Sequence, residues 1–207
     1  MERVTAVIVA GGHGRRFGGD KALAPLCGAP LAQHVARRLA LVAQEIVVVR
    51  AAGQPDLPLS IPVPLHHAHD VVRAAGPLGG IVTAMRARAA DWYLVAAADL
   101  PLAPAALFRA LLAHARASGR AAVLPAADGL LEPLCAAYRR DCLPAVERAL
   151  LEGRLKTTAF LDEVSWEPWP EVEWRRCDPS GRAFRNINTR ADLDALEAEC
   201  RAARTRE

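Results

Sequence analysis

The chain has 207 residues, of which 52% are hydrophobic and 24% charged, a composition that fits one compact globular domain with a sizeable core. Its 26 basic and 23 acidic residues give a formal net charge of +3, which is too small to indicate nucleic-acid binding. No apolar stretch approaches the roughly 18 to 20 residues of a membrane span, and the chain begins with a strand-like run without a signal-peptide pattern, so we expect a cytoplasmic protein with neither nucleic-acid nor membrane partners.

The cysteines give no sign of a disulfide framework or of a thiolate zinc site. Their number is odd and no two of them form a C-x-x-C pair. We therefore expect free thiols that serve mostly as packing residues: Cys27, Cys135, Cys142, Cys177 and Cys200.

The first part of the chain alternates strand and helix patterns. A β-branched run at residues 4–9 predicts a buried strand that leads into a glycine- and arginine-rich loop. Residues 31–43 have apolar side chains at helical spacing, and residues 45–49 (EIVVV) predict a second buried strand. A proline-rich connection at residues 55–64 follows, and then a loop with three histidines.

The middle of the chain continues the alternation. Residues 76–90 begin with Gly-Pro and predict a helix, and residues 92–99 predict a third buried strand that ends at Asp99. Residues 104–118 predict a helix and residues 121–125 a strand. This order predicts an α/β fold with a mostly parallel sheet covered on both faces, whose ligands bind at the carboxyl ends of the strands.

The last third is less regular. Residues 132–138 (EPLCAAY) predict an antiparallel strand, residues 143–153 a helix, and residues 189–207 a charged C-terminal helix.

The glycine-rich loop matches neither of two common phosphate-binding templates. Counted from Gly14, a Walker A loop has its second glycine correctly at Gly19, but Asp20 stands where that template needs lysine. A dinucleotide fingerprint starting at Gly12 has Phe17 at its third glycine position.

Charged side chains at this edge suit a nucleotide and its metal ion. A carboxylate at the end of a central strand, as at Asp99, is well placed for Mg²⁺ bound together with substrate phosphates, although it could instead cap the following turn. Lys21, Arg15 and Arg16 offer donors to phosphate oxygens, with solvated surface cations as the alternative.

Four segments together resemble a known family. The pattern V-A-G-G, three residues, R-F-G-G-D-K-A-L and then G-A-P-L resembles the signature loop of nucleotidyltransferases with a glycosyltransferase-A-like, Rossmann-related fold. It is most similar to the molybdenum cofactor guanylyltransferases, and residues 76–85, 96–102 and 184–193 (FRNINTRADL) agree in order. The resemblance implies a Rossmann-like three-layer α/β/α fold of the nucleotide-diphospho-sugar transferase type. It also implies one domain at 1–207, with a nucleotide-binding part at 1–125 and an acceptor-side part at 126–207.

The activity implied by the resemblance is transfer of GMP from GTP to the terminal phosphate of molybdopterin, with release of pyrophosphate. The implied cofactor is Mg²⁺, and the implied partners are GTP, molybdopterin, molybdenum-insertion proteins and molybdoenzyme chaperones. Three alternatives stay open: a molybdopterin cytidylyltransferase, a sugar-phosphate nucleotidyltransferase of the same fold, and a non-catalytic nucleotide-binding regulator. The presence of both Lys21 and Asp99 argues against the last.

The resemblance also assigns roles on the phosphate side of the site. It implies catalytic roles for Lys21, Asp99 and Arg15, and it makes Asp99 the metal ligand. Backbone contacts to the nucleotide are implied for Val9, Ala10, Gly11 and Gly12.

On the base and acceptor side, Asp70 is the implied acceptor for the adjacent N–H groups of guanine. Gly76 and Gly80 are expected to contribute to nucleotide binding, and Asn186 and Asn188 are expected to line the metal and acceptor side.

Some residues have a structural alternative. Asp20 could assist the metal, but we favour a role in capping the turn and orienting Lys21. Glu132 is a candidate acceptor-side contact, and Arg50 stands near where this family often has an asparagine. No carboxylate or cysteine pattern completes a metal site with the three histidines, so we favour a solvated loop for His66, His67 and His69.

Overall fold

The computed structural model describes residues 2–11, 17–70 and 75–204, with side chains up to residue 202. The described strands are β1 (Val4–Val9), β2 (Pro25–Leu26), β3 (Ala29–Pro30), β4 (Glu45–Arg50), β5 (Leu65–His69), β6 (Trp92–Ala97), β7 (Ala122–Ala127), β8 (Leu130–Leu131), β9 (Cys135–Arg139) and β10 (Trp166–Trp169). The described helices are α1 (Leu31–Leu39), α2 (Gly76–Ala87), α3 (Ala105–Ser118), α4 (Leu143–Leu151), α5 (Glu171–Trp174) and α6 (Arg190–Arg204). None of these helices is long and apolar enough to cross a lipid bilayer.

One large sheet organises the chain. Its strand order is β10-β7-β9-β6-β1-β4-β5, with β8 paired to β7. The strands β6, β1, β4 and β5 are parallel to their neighbours in this group, whereas β9 runs antiparallel to both β6 and β7. The sheet is therefore mostly parallel, as predicted, and the antiparallel strand predicted at residues 132–138 is confirmed as β9.

Helices cover both faces of the sheet because its central strands are apolar on both sides. Within β1, Ile8 packs into a core cluster with residues of α1 and α3, whereas its neighbour Val7 packs into a second cluster with residues of α2 and α4. Successive side chains of a strand point to opposite faces, so one continuous apolar run supplies both cores. The result is the predicted three-layer α/β/α arrangement.

A third apolar cluster joins the beginning of the chain to its end. Its buried members come from the β2–β3 hairpin and the turns before it, the start of α1, and α6 with the segment before it: Phe17, Ala24, Leu26, Leu31, Ile187, Leu193 and Leu196. On the same surface Cys27 and Cys200 form a disulfide bond, with a distance of 6.2 Å between their Cα atoms. The expectation of free thiols is wrong for this pair, because the fold of α6 onto the hairpin brings together two cysteines that are 173 residues apart in sequence.

The other three cysteines are free, as expected. Burial raises the pKa of the Cys142 thiol to about 12, and burial also raises the pKa of Cys135. Both thiols are therefore protonated near neutral pH and act as apolar packing groups.

The three histidines do not form the loop that the sequence suggests. Residues Leu65–His69 form β5, an edge strand parallel to β4, in which Val48 pairs with His67. The segment has no β-branched residue, so its own pattern does not indicate a strand. Pairing with the exposed edge of β4 supplies the backbone hydrogen bonds that make it one.

Candidate active site

The carboxyl ends of β1, β4 and β6 meet at one edge of the sheet. The Ala10 N–H donates to the Val49 carbonyl at 2.9 Å, and the Ala98 N–H donates to the Val9 carbonyl at 3.1 Å. These bonds hold the chain that leaves β1 between its two neighbours. A cleft of about 140 Å³ opens there and is lined by Val9, Ala10, Gly11, Asp20, Lys21, Ala22, Pro77, Ala97, Ala98, Asp99 and Leu134.

Lys21 and Asp99 form the charged centre of this cleft. The Lys21 ammonium is 2.5 Å from the Asp99 carboxylate, and it donates a second hydrogen bond to the Asn188 side-chain oxygen at 3.3 Å. About a fifth to a quarter of each charged side chain remains exposed, so both can reach a ligand in the cleft. The predicted strand that carries Asp99 is slightly shorter than expected, because β6 ends at Ala97.

A capped helix end places Asn188 beside Lys21. Ile187 is buried in the third apolar cluster, so its neighbours Asn186 and Asn188 lie on the exposed side of the segment. The Asp192 carboxylate accepts hydrogen bonds from the backbone N–H groups of Asn188 and Thr189 at 2.9 and 2.8 Å. The structure thus brings Asn188, and not Asn186, into contact with Lys21.

The start of the glycine-rich loop lies very close to the chain that leaves β4. A Cβ atom at Gly11 would come within 3.0 Å of the Ala51 backbone nitrogen, so the close approach of the two strand ends favours glycine. The predicted residues Gly12 and Arg15, together with Arg16, lie outside the described residues, and their roles stay predictions.

Asp70 lies over the first turn of α2. Its backbone N–H donates to the Arg50 carbonyl at 2.8 Å. A Cβ atom at Gly79 would stand 2.6 Å from an Asp70 carboxylate oxygen, so the carboxylate rests against the bare backbone of the helix.

The two predicted glycines of this region have different surroundings. Gly76 is exposed and has a φ of +61° at the start of α2. Gly80 is buried, and a Cβ atom there would be 3.3 Å from a Val9 methyl group. Gly80 therefore lets α2 pack closely on β1, a contact that the sequence pattern does not reveal.

Glu132 adds a second carboxylate near Asp99. Burial raises the pKa of Glu132, and the negative charges of Asp99 and Asp128 raise it further. The sequence marks Glu132 as a possible acceptor-side contact, but its proximity to Asp99 emerges only from the fold, which places the β8–β9 connection beside the end of β6.

Oxygen atoms dominate the possible metal ligands in and beside the cleft. Asp99 and Glu132 offer carboxylates, and Asn188 offers an amide oxygen. Across residues 2–11, 17–70 and 75–204, no three His, Cys, Asp or Glu side chains are grouped so that they could hold a metal ion by themselves. A few oxygen ligands suit Mg²⁺, which commonly uses one or two carboxylates and completes its shell with phosphates and water. The residues fit a cation that binds together with a nucleotide.

Comparison with known proteins finds similarity over most of the chain. Residues 6–164 match the family model described as a MobA-like NTP transferase domain. A probable molybdenum cofactor guanylyltransferase from Chloroflexus aggregans is 32% identical over 204 residues, with 94% of both chains covered. A molybdenum cofactor guanylyltransferase from Desulfosudis oleivorans is also 32% identical, over 205 residues, with 99% of both chains covered.

A solved structure supports the same comparison. The crystal structure of molybdopterin-guanine dinucleotide biosynthesis protein A from Archaeoglobus fulgidus has a TM-score of 0.79 against this chain at 26% identity. The matched region covers 96% of this chain and 99% of the Archaeoglobus chain. The similarity thus includes the sheet edge that carries the cleft and the C-terminal segment that contacts it.

Proposed function

The chain belongs to the family of MobA-like NTP transferases, and from this premise we propose that it transfers GMP from GTP to the terminal phosphate of molybdopterin. The products are the molybdopterin guanine dinucleotide and pyrophosphate. The observation that carries the proposal is that Lys21 contacts both Asp99, which lines the cleft with it, and Asn188 at the carboxyl edge of the sheet. The names of the relatives support guanylyl transfer over the cytidylyl and sugar-phosphate alternatives.

Lys21 provides the positive charge that the reaction needs. The leaving pyrophosphate gains negative charge as the bond to the α-phosphorus breaks, and an ammonium group held at the phosphates stabilises that charge. In the structure the same ammonium group donates hydrogen bonds to Asp99 and Asn188. A triphosphate therefore meets a lysine whose position is already fixed.

The acceptor needs no activated nucleophile. A phosphate monoester has its second pKa near about 6, so the terminal phosphate of molybdopterin is already anionic near neutral pH. Catalysis then depends on holding two anionic substrates in line and on balancing their charge.

We assign magnesium binding to Asp99, with the Asn188 amide oxygen as a neighbouring ligand. The bound ion would offset the charge of the phosphates during transfer. Asp99 would contribute its carboxylate to the cation, and Lys21, held beside it, would donate to the phosphate oxygens.

We assign guanine recognition to Asp70. Guanine presents adjacent N–H groups, and a carboxylate accepts hydrogen bonds from both. Adenine lacks this pair of donors, so the carboxylate would favour GTP over ATP.

The remaining parts of the proposal concern the whole chain. We infer a nucleotide-binding part at 1–125 and an acceptor-side part at 126–207 in one domain. The substrates are GTP and molybdopterin, and molybdenum-insertion proteins and molybdoenzyme chaperones are the proposed protein partners. We expect the reaction to take place in the cytoplasm, where GTP is available.

The test is pyrophosphate release by the purified protein with Mg²⁺, molybdopterin and each of GTP, CTP, ATP and UTP. We expect release with GTP that depends on molybdopterin, and we expect Asp99→Asn to lower it by at least about 100-fold. Release with CTP alone would assign the chain to the cytidylyl branch. No release with any nucleotide would contradict the proposed function.

A further inference from the structure

The side chain of Arg50 is fully buried at the last position of β4, and every nitrogen of its guanidinium donates a hydrogen bond. Its Nη1 donates to the Ala10 carbonyl at 2.7 Å, and its Nε donates to the Pro55 carbonyl at 3.1 Å. Nη1 also reaches one Asp20 carboxylate oxygen at 3.3 Å, while Nη2 donates to the other. The bidentate pair is the strongest form of this interaction.

These contacts join the two ends of the glycine-rich loop. Ala10 immediately precedes the loop, and Asp20 immediately follows it. A single guanidinium bound to both residues fixes the separation of the loop ends. Because an unpaired buried guanidinium is strongly unfavourable, the loop ends cannot move apart without a large cost in free energy.

The same contacts fix the position of the Lys21 backbone, from which its side chain reaches into the cleft. Besides its pair with Arg50, the Asp20 carboxylate accepts a hydrogen bond from the Ala22 backbone N–H at 3.1 Å. It thereby caps the short 3-10 helix Lys21–Leu23. Arg50 holds Asp20, Asp20 holds the first turn of this helix, and that turn presents Lys21 to Asp99.

Arg50 also contacts the element proposed to read the base. Its backbone carbonyl accepts the hydrogen bond from the Asp70 N–H. One residue therefore connects the phosphate side of the cleft, through its side chain, with the base side, through its backbone.

We propose that Arg50, acting through Asp20, is a positioning residue for nucleotide binding and transfer. It holds Lys21 at the phosphates at a fixed distance from the base-reading segment. This assignment rests on the proposed function for the identity of the nucleotide. It also gives Asp20 the role of a link between Arg50 and Lys21, because both carboxylate oxygens of Asp20 are engaged within the protein.

We call the Arg50–Asp20 pair the clamp. The experiment is a double-mutant cycle between the clamp and Lys21. Asp20→Asn removes the charge of the pair but keeps an oxygen that can still cap the 3-10 helix. Arg50→Gln breaks the same pair by changing the other partner. The cycle can therefore still be completed if one of the two variants fails to fold. Each is combined with Lys21→Ala, and the dissociation constant of GTP with Mg²⁺ is measured by calorimetry beside kcat and KM for both substrates.

The matched control is Arg88→Gln. Arg88 forms an ion pair with Glu45 at 2.8 Å, at the opposite end of β4 from Arg50. Removal of this pair also destabilises β4, but it leaves the loop and Lys21 untouched. A purely structural effect would make the control and the clamp variants behave alike.

We expect each clamp variant to weaken GTP binding about tenfold, with the KM for molybdopterin unchanged. In the clamp variants, adding Lys21→Ala should weaken GTP binding by a factor about tenfold smaller than it does in the unmodified chain. In the Arg88→Gln variant, adding Lys21→Ala should weaken GTP binding as much as it does in the unmodified chain. If Lys21→Ala costs the same factor in every background, or if the clamp variants lose only thermal stability, the proposal is overturned. A chain that binds GTP without transferring GMP contradicts the proposed function alone, while a chain that binds no GTP contradicts both.

Discussion

At the scale of single residues, the contact between Lys21 and Asp99 joins two predicted site residues. The two groups neutralise each other in the cleft, and they are separated by 78 residues in sequence. The sequence predicts each as a site residue from its place beside a strand end. It cannot predict their contact, because that depends on the strand order, in which β6 lies next to β1.

Asp70 offers a test of base selection. We predict that Asp70→Asn lowers the preference for GTP over ATP by about 10- to 100-fold, because one carboxylate acceptor for the guanine N–H groups becomes an amide donor. The measurement is the ratio of kcat/KM for the two nucleotides. Asp56→Asn, at an exposed carboxylate of the preceding connection, is the control and should leave the ratio unchanged. An unchanged ratio in Asp70→Asn would mean that other groups read the base.

Glu132 offers a test of stability against pH. Its pKa is raised above the ordinary value of 4.5, first by burial and then by Asp99 and Asp128. The folded state therefore binds the proton more tightly than the unfolded chain does. The stability contributed by the neutral carboxyl is complete below the unfolded pKa and is lost as the pH rises through the raised folded pKa.

We predict that Glu132→Gln raises the thermal unfolding midpoint at pH 7 to 8 and has little effect near pH 4. Calorimetric melts across this range provide the measurement. Asp162→Asn, at an exposed carboxylate, serves as the control and should show no comparable trend. A Glu132→Gln effect that stays constant from pH 4 to pH 8 would contradict the prediction.

At the scale of elements, predictability follows the strength of the local pattern. The strands β1, β4 and β6 are mostly apolar runs, and the helices α1, α2, α3 and α4 have apolar residues at helical spacing. Each of them forms within a few residues of its predicted place. The two-residue strands of the β2–β3 hairpin are too short to show a period. Its turn places Cys27 at a φ of +49°, where asparagine or glycine would be the usual signal.

The N-terminus of α6 offers a test at this scale. The Thr189 hydroxyl accepts a hydrogen bond from the Asp192 backbone N–H at 3.1 Å. In turn the Asp192 carboxylate accepts a hydrogen bond from the Thr189 backbone N–H. We predict that Thr189→Ala costs about 1 kcal/mol of folding free energy, or about 2–4 °C in the melting midpoint, and raises the Kd for GTP because Asn188 loses its fixed position.

Ser118→Ala provides the comparison for this prediction. Ser118 closes the C-terminal turn of α3 through its own hydroxyl, away from the cleft. It should lower stability by a similar amount and leave GTP binding unchanged. Equal effects of both variants on GTP binding would show that the cap of α6 has no special link to the site.

At the scale of the whole molecule, long-range contacts decide what the sequence leaves open. The motifs predict the fold class, and five of the predicted site residues line the cleft: Val9, Ala10, Gly11, Lys21 and Asp99. They do not predict the Arg50 clamp, because its partners Ala10 and Asp20 become neighbours of Arg50 only when β4 pairs with β1. The disulfide between Cys27 and Cys200 is hidden for the same reason.

The disulfide gives the prediction at this scale. We predict that reduction lowers the free energy of unfolding by about 2–5 kcal/mol, because the bond restricts the unfolded chain over a span of 173 residues. Denaturant titrations with and without a reductant provide the measurement. A Cys27→Ser, Cys200→Ser double variant should be insensitive to the reductant. Equal midpoints for the unmodified protein under both conditions would contradict the prediction.

The same bond changes the outcome of proteolysis. Residues 51–64 connect β4 to β5 within the ring that Cys27 and Cys200 close, and Asp56 in this connection is more than half exposed. A protease that cuts once there opens the ring without dividing the molecule. The nicked protein would migrate as one species on a non-reducing gel and as two fragments after reduction. A split enzyme made in this way would keep its N-terminal and C-terminal pieces covalently joined.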